Sequence, residues 1–182
     1  MQHTSAPAQR GFTLVELLIV VIILGILAAV VVPQFSSSTS DAKLAALDAT
    51  LANMRSAIAL YYQQHGHYPG NAAASGATCP NGGTAGSGDL TDVTTRATAF
   101  REQLTWYTNT AGQACSTTDG SFKFGPYLKT GSLPSNPMTG SNALEIVTAG
   151  DLNMTASGTT GGWKFDVVTG KFIANHTDYD DR

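Results

Sequence analysis

A long apolar run at residues 12–32 constrains this chain more than any other feature. Only Thr13, Glu16 and Gly25 interrupt it. Its length matches the ~20 residues that a helix needs to cross the hydrocarbon core of a membrane. The apolar region of a secretory signal peptide is shorter, at roughly 7–15 residues. The run therefore predicts a single membrane-spanning helix.

Glu16 is the only ionisable side chain of this run. A carboxylate deep in a membrane span costs about 2.5–3.5 kcal/mol on insertion scales, so such an acid indicates a function. No Lys or Arg in the run could pair with it. Cleavage of the chain after Gly11 would free the α-amino group of Phe12, one helical turn from Glu16. That amine could pair with Glu16 of the same chain or of a neighbouring subunit.

The stretch that begins at Gly11 and covers the apolar run resembles the N-terminal motif of type IV prepilins and type II secretion pseudopilins, nearly residue for residue. The resemblance implies that residues 1–11 are a class III leader peptide. It implies that a prepilin peptidase cuts between Gly11 and Phe12, that Phe12 is N-methylated, and that Glu16 acts in subunit recruitment and register. The leader departs from the pattern in one respect, since Arg10 is its only Lys or Arg, where such leaders usually carry several.

Residues 33–66 are predicted to form an amphipathic helix that continues the apolar one. Pro33 removes one helical hydrogen bond and predicts a bend at the junction. Beyond it, apolar residues recur every three or four positions, the pattern of one buried helix face: Leu44, Leu47, Leu51, Met54, Ile58 and Tyr61. We expect this stripe to pack on the chain's own globular head, since it is short for a coiled-coil seam. Gly66 is typical of a helix end.

The globular head is predicted at residues 67–182. Within it, residues 70–90 are rich in Gly, Ala and Ser and indicate an exposed loop. Helical or alternating apolar spacing predicts the other elements: a short helix at 96–107 and strands at 144–148, 163–167 and 171–175. The fold class is therefore α+β and pilin-like. A long N-terminal helix, transmembrane in its first half and amphipathic in its second, would pack on a small antiparallel β-sheet.

Two cysteines, Cys79 and Cys115, are present, and their spacing matches no CxxC metal motif. In an exported protein such a pair is typical of one disulfide, and in a cytosolic protein of two thiols. Because the resemblance implies export of the head, we expect a disulfide between them.

No catalytic or cofactor-binding constellation is recognisable, so the chain is interpreted as a non-enzymatic protein without a cofactor. The four histidines fit no ligand spacing and are expected at the surface. Asp178, Asp180 and Asp181 are the candidates for calcium, because major pseudopilins hold calcium near their C-terminal loop, although the spacing is not that of an EF-hand. A net charge of −3 with scattered Lys and Arg argues against binding of nucleic acid.

We therefore expect a structural subunit of a type IV pilus-like filament. The resemblance implies a single-pass protein of the bacterial inner membrane, with its N-terminus cytoplasmic and its head periplasmic, or extracellular in a pilus. It implies as partners further copies of the chain, minor pilins or pseudopilins, the prepilin peptidase, and the inner-membrane assembly platform with its ATPase.

Within that class we favour a type II secretion pseudopilin that drives protein export. The reason is the run Gly125-Pro126-Tyr127-Leu128, which resembles the middle of the major pseudopilin. The first alternative is a type IV pilus pilin for adhesion, motility or DNA uptake. The second, from another class, is a membrane-anchored periplasmic binding module or enzyme.

Overall fold

The computed structural model describes residues 12–182, except for the side chains of residues 30–38. By its internal contacts the chain divides into two compact units, Met1–Ala42 and Lys43–Arg182. The first unit contains the start of helix α1. The second contains the remainder of α1 and every other described helix and strand.

Helix α1 spans Leu14–His65. In the part of the chain that the structure describes, no helix combines the length and the apolarity needed to cross a membrane. The membrane span predicted at residues 12–32 is therefore not supported by the structure. The side chains of residues 30–32, at the end of this span, and of Pro33, where the sequence predicts a bend, lie outside the described part of the chain.

In the second unit, α1 buries one face. Leu44, the first residue of the predicted stripe, is half-buried and Ala57 is buried beside it, while the other stripe residues are buried: Leu47, Leu51, Met54, Ile58 and Tyr61. They share a face because a helix has 3.6 residues per turn. The helix ends at His65, and Gly66 follows with a φ of +74° while its amide donates to the Tyr62 carbonyl at 2.8 Å. Glycine takes up this left-handed conformation without a Cβ clash, which explains the end of the helix here.

The second helix, α2, spans Val93–Thr105. It begins before the predicted residue 96 because Asp92 caps it. The Asp92 carboxylate accepts from the amides of Thr94 and Thr95 at 2.7 and 2.9 Å, and the Thr95 hydroxyl accepts from the Asp92 amide at 3.1 Å. This reciprocal pair is a capping box. The helix ends before Trp106, which is extended.

In the part of the chain that the structure describes, five short strands form two sheets. They are β1 (Tyr107–Thr108), β2 (Ala114–Cys115), β3 (Leu144–Val147), β4 (Trp163–Asp166) and β5 (Phe172–Ala174). The first two pair antiparallel, and the other three form a sheet in the order β3-β4-β5.

The three-stranded sheet is mixed rather than wholly antiparallel. Strands β4 and β5 are antiparallel, whereas β3 and β4 are parallel, with Leu144 opposite Trp163. A parallel pair needs a long connection that returns the chain to the same end of the sheet, and residues 148–162 provide it. The predicted α+β class is confirmed. The prediction of an antiparallel sheet is wrong for β3, which runs parallel to β4.

The core of the second unit forms where the α1 stripe, α2 and the three-stranded sheet meet. Aromatic rings fill its centre: Phe100 lies 4.8 Å from Phe165, and Trp163 lies 5.3 Å from Phe172, between ring centroids. The Trp163 indole donates to the Pro134 carbonyl at 2.7 Å, so the buried ring leaves no polar group unsatisfied.

The glycine-rich segment at residues 70–90, predicted as an exposed loop, is partly buried. Ala74 and Gly88 are both buried in it. A Cβ at Gly88 would lie 2.1 Å from the amide nitrogen of Ala99 in α2. The missing side chain thus lets the loop backbone pack directly on α2, an effect that composition alone does not distinguish from a solvent-exposed turn.

Buried Gln103 of α2 holds this segment in place. Its amide nitrogen donates to the carbonyls of Ala72 and Gly112, both at 2.9 Å, and its carbonyl accepts from the Gly70 amide at 2.7 Å. One buried side chain therefore satisfies three backbone groups that lie far apart in sequence.

Candidate functional site

The residues predicted to direct processing and assembly lie at the start of α1. Phe12 is 82% exposed, and Glu16 is exposed on the first turn of the helix. Gly11, on the other side of the predicted cleavage bond, lies outside the described residues. Cleavage at this bond and methylation of Phe12 stay predictions.

Thr13 stabilises this helix start, a role that the sequence interpretation missed. Its amide and its hydroxyl donate to the Glu16 carboxylate at 2.9 and 2.8 Å, and the Glu16 amide donates to the Thr13 hydroxyl at 3.2 Å. This is a capping box, and its signal, Thr-x-x-Glu ahead of an apolar run, stands at residues 13–16. The Glu16 carboxylate is therefore held close to the residue that follows Phe12.

Beyond Glu16, the first unit presents apolar side chains on all sides of α1. The exposed large apolar residues are Leu17, Leu18, Ile19, Val20, Val21, Ile22, Ile23, Leu24, Ile26 and Leu27. A helix that is apolar all round is typically surrounded by other apolar groups in its working state. This surface therefore suits apolar surroundings.

The disulfide predicted between Cys79 and Cys115 is confirmed. The two Cα atoms are 5.7 Å apart, and the bond ties the loop at Cys79 to strand β2. Around it, the Thr117 hydroxyl donates to the Pro80 carbonyl at 2.8 Å, and Ala85 pairs with Cys115 in an isolated bridge. The disulfide therefore fastens the middle of the glycine-rich segment to strand β2.

His65, expected at the surface, is half-buried at the end of α1. Its Nε2 lies 3.0 Å from the Tyr127 hydroxyl and 3.0 Å from the Thr108 hydroxyl. Tyr127 in turn donates to the Gln64 side-chain carbonyl at 2.6 Å. The cluster thus joins the end of α1 to strand β1 and to the segment at Tyr127. His65 continues the three-and-four spacing of the buried stripe, four positions after Tyr61, so the helical pattern could have indicated this burial.

The surroundings keep His65 neutral. The ring of Tyr61 lies 4.2 Å and that of Phe124 lies 5.1 Å from the imidazole, between centroids. Burial is the main cause that lowers the pKa of His65 from 6.5 to about 4, and the neighbouring His67 lowers it further. Burial also raises the pKa of Tyr127. At neutral pH the cluster is therefore uncharged, as suits groups packed between elements.

The acidic residues predicted as calcium ligands make separate contacts. Asp180 accepts from the Ala156 amide at 2.7 Å, and Asp178 lies 4.0 Å from the His176 Nδ1, while Asp181 is exposed. Among the described residues, no three carboxylate, imidazole or thiol groups converge in a way that could hold a metal ion. Calcium binding stays a prediction that gains no support from side-chain geometry.

Known proteins share the N-terminal features of the chain. Residues 7–32 match the family described as the prokaryotic N-terminal methylation motif. A fimbrial protein of Neisseria meningitidis serogroup B is 43% identical over 68 residues, which cover 37% of this chain and 40% of that protein.

Two further relatives also match. The type IV narrow pilus major component of Thermus thermophilus is 53% identical over 51 residues, which cover 28% of this chain and 44% of that protein. The type II secretion system core protein G of Pseudomonas aeruginosa is 43% identical over 61 residues, which cover 34% of this chain and 43% of that protein.

The chain thus spans about two fifths of the length of the curated relatives it matches, and no solved structure matches it. The resemblance inferred from the residues at the start of the apolar run is confirmed by these matches. The chain carries the N-terminal methylation motif of prepilins, and it is similar to type IV pilins and to a core protein of the type II secretion system.

Proposed function

We propose that this chain is a structural subunit of a type IV pilus-like filament. One observation supports this most directly: the Glu16 carboxylate is held at the Thr13 amide, 2.9 Å away, beside the position where cleavage would create the amino group of Phe12. The carboxylate is thus placed to meet a cation that only processing can supply. The apolar surface of α1 beyond it is of the kind that a filament core requires.

In the proposed assembly, the new amine of one subunit pairs with Glu16 of its own chain or of its neighbour. An unpaired charge in apolar surroundings is costly, so the pairing favours subunits in correct register. The subunit would wait in the bacterial inner membrane with its head outside the cytoplasm. A prepilin peptidase, an assembly platform with its ATPase and minor subunits are the proposed partners.

The decisive experiment compares the wild-type chain with Glu16→Ala in its own cells, by fractionation of sheared filaments and negative-stain microscopy. We expect the wild-type subunit in filaments and the variant in the cell-bound fraction. Glu16→Asp is the matched control, because it keeps the charge but shortens its reach, and partial assembly is expected. A wild-type chain that never enters filaments would contradict the proposal and favour a membrane-anchored binding module or enzyme.

Processing is tested separately by mass spectrometry of the chain from cells. We expect the mature protein to begin at Phe12 and to carry one N-methyl group. Gly11→Leu should block cleavage and leave the leader attached, because it puts a bulky side chain directly before the proposed cleavage bond. A mature wild-type chain that retains Met1 would refute processing at this bond.

Between pilus and pseudopilus, we propose the pilus. The names of the pilin relatives support it, and so does the disulfide that fastens the glycine-rich segment, which suits a head exposed outside the cell. The pseudopilin remains the second candidate because of the type II secretion relative and the run that begins at Gly125. Deletion of the gene should remove surface filaments in the first case, and block export of secreted proteins in the second.

A further inference from the structure

An acid, an amine and a carboxamide lie together on one face of the three-stranded sheet. Side chains alternate along a strand, so Glu145 of β3 and Lys164 of β4 are on the face turned away from the core. Glu145 is directly opposite Lys164, and Lys164 is opposite Ile173 of β5. Asn175 comes two residues after Ile173 and is therefore a diagonal neighbour of Lys164. The Cβ atoms of such neighbours are no more than about 7–8 Å apart, within reach of a long side chain.

The Glu145 carboxylate connects the other two side chains. Its Oε1 lies 3.3 Å from the Lys164 Nζ, and its Oε2 accepts from the Asn175 Nδ2 at 2.9 Å. A general acid–base catalyst has to reach both the nitrogen that loses a proton and the nitrogen that gains it. Glu145 meets this condition for an attack of the lysine amine on the asparagine amide.

Ser157, in the connection between β3 and β4, also contacts both of these side chains. Its amide donates to the Asn175 Oδ1 at 2.7 Å, and its hydroxyl accepts from the Lys164 Nζ at 2.8 Å. An N–H group fixed at a carbonyl oxygen stabilises the negative charge that develops there when the carbonyl carbon is attacked. Ser157 therefore polarises the amide and helps to hold the amine beside it.

The carboxamide is shielded from solvent. Asn175 is 7% exposed, and the side chain of Lys164 is 12% exposed. Gly161 lies against the carboxamide, because a Cβ there would be 2.8 Å from the Asn175 Cγ. Exclusion of water limits the competing hydrolysis of the amide. An ion pair of Glu145 with Lys164 alone requires neither a buried amide nor a donor aimed at its oxygen.

We propose that Lys164 and Asn175 join in an intramolecular isopeptide bond, with Glu145 as the catalytic residue. The Glu145 carboxylate takes one proton from the Lys164 ammonium, and the lone pair of the resulting amine forms a bond from Nζ to the Asn175 Cγ. Negative charge develops on Oδ1, at the Ser157 amide.

The amide then loses its own nitrogen. Glu145 passes its proton to the Asn175 Nδ2 and takes the second proton from Nζ. The bond from Cγ to Nδ2 breaks, and its electron pair leaves with ammonia. Glu145 returns the remaining proton to the ammonia, so that ammonium is released and the carboxylate is restored. No atom is oxidised or reduced, and no other reactant is consumed.

The bond ties β4 to the segment that follows β5. Unlike the disulfide between Cys79 and Cys115, it is an amide and resists reductant. It forms within one head, so it does not depend on entry of the chain into a filament.

The test is mass spectrometry of the full chain purified from cells, with the cysteines reduced. We expect the wild type to be lighter by one ammonia molecule than the mass calculated from its observed N-terminus. A tryptic digest should contain residues 130–171 joined to residues 172–182, because the bond removes the cleavage site at Lys164. Fragmentation of that peptide identifies the two linked residues in the wild type itself.

Three variants assign the roles. Lys164→Arg keeps the positive charge and Glu145→Gln keeps the shape of the side chain, and both should have their full calculated mass. Lys171→Arg is the matched control, because Lys171 is in the same hairpin but bonds to the Leu152 carbonyl instead, and it should still lose one ammonia. Unchanged tryptophan fluorescence, which reports on buried Trp163, would show that the variants are folded.

A wild type of full calculated mass, with residues 172–182 recovered as a free peptide, overturns the proposal. A loss of ammonia that persists in Lys164→Arg also overturns it, because an asparagine can lose ammonia by closing on its own backbone. A loss that persists in Glu145→Gln overturns the catalytic role of Glu145.

Discussion

Glu16 accepts two hydrogen bonds from Thr13, one from the amide at 2.9 Å and one from the hydroxyl at 2.8 Å, while its own amide donates back to that hydroxyl at 3.2 Å. The pair closes the first turn of α1 and holds the carboxylate at the residue that follows Phe12. Glu16 therefore has two roles, a local one as the third helical residue (N3) of a capping box and a proposed one between subunits. The same geometry serves both.

The capping task predicts the effect of Thr13→Val, which removes the hydroxyl but keeps the shape of the side chain. Loss of an N-cap costs about 0.5–2 kcal/mol of helix stability. We expect faster amide hydrogen exchange at the first turn, residues 14–16, in the full-length protein. Thr13→Ser should retain the slower wild-type exchange because it keeps the hydroxyl. Identical rates in the Val and Ser variants would show that the capping box does not stabilise the helix.

The disulfide predicts a stability difference that depends on oxidation. Its two cysteines are separated by 36 residues. Closing a loop of that length lowers the conformational entropy of the unfolded chain and so stabilises the folded state by about 3–4 kcal/mol. Cys79→Ser/Cys115→Ser should therefore unfold at lower urea concentration than the wild type. Reductant should shift the wild type toward the variant and leave the variant unchanged. An unchanged wild-type midpoint under reductant would contradict this.

The buried His65 predicts a dependence of stability on pH. Its pKa is lowered from 6.5 to about 4 in the folded state, so between these values the unfolded chain binds more protons. The contribution of neutral His65 to the free energy of unfolding is therefore fully present above pH 6.5. It decreases as the pH falls from 6.5 to about 4, and it does not change further below pH 4.

The measurement is urea unfolding at steps between pH 4 and 7, with His65→Gln compared with the wild type. The variant should show a shallower pH dependence in that window and a lower stability at pH 7. His176→Gln, a histidine outside the cluster, is the control and should keep the wild-type slope. A slope that is the same in all three proteins would exclude His65 as its source.

Gly88→Ala tests whether the glycine-rich segment is packed. The added Cβ would lie 2.1 Å from the Ala99 amide nitrogen, and because that neighbour is helix backbone, it cannot move aside easily. We expect a loss of about 1–3 kcal/mol, the usual cost of overpacking, measured by urea unfolding. Gly158→Ala is the matched control, since a Cβ there meets nothing within 4 Å. Equal urea midpoints for the two variants would mean that the segment accommodates the added methyl group without loss of stability.

Much of this molecule follows from local sequence patterns. The apolar run with one acid predicted the N-terminal motif, and the matching family confirms it at residues 7–32. The three-and-four spacing from Leu47 to Tyr61 predicted the buried face of α1. These predictions succeed because a helix brings residues a few positions apart to one face. The capping box at Thr13 was equally local and could have been found from the same sequence.

Other features depend on contacts between segments that are far apart in sequence. The polar contacts of buried His65 are made by Thr108 and Tyr127, both at its Nε2. The parallel pairing of β3 with β4 depends on the path of residues 148–162.

The amino-acid sequence by itself determined the helix, its motif and the cysteine pair. Only the tertiary structure decided that Gly88 packs against Ala99, and that Leu60 and Leu152 stay exposed. The physical reason is that burial is set by the summed contacts of the whole fold, whereas helical periodicity is set by neighbours along the chain.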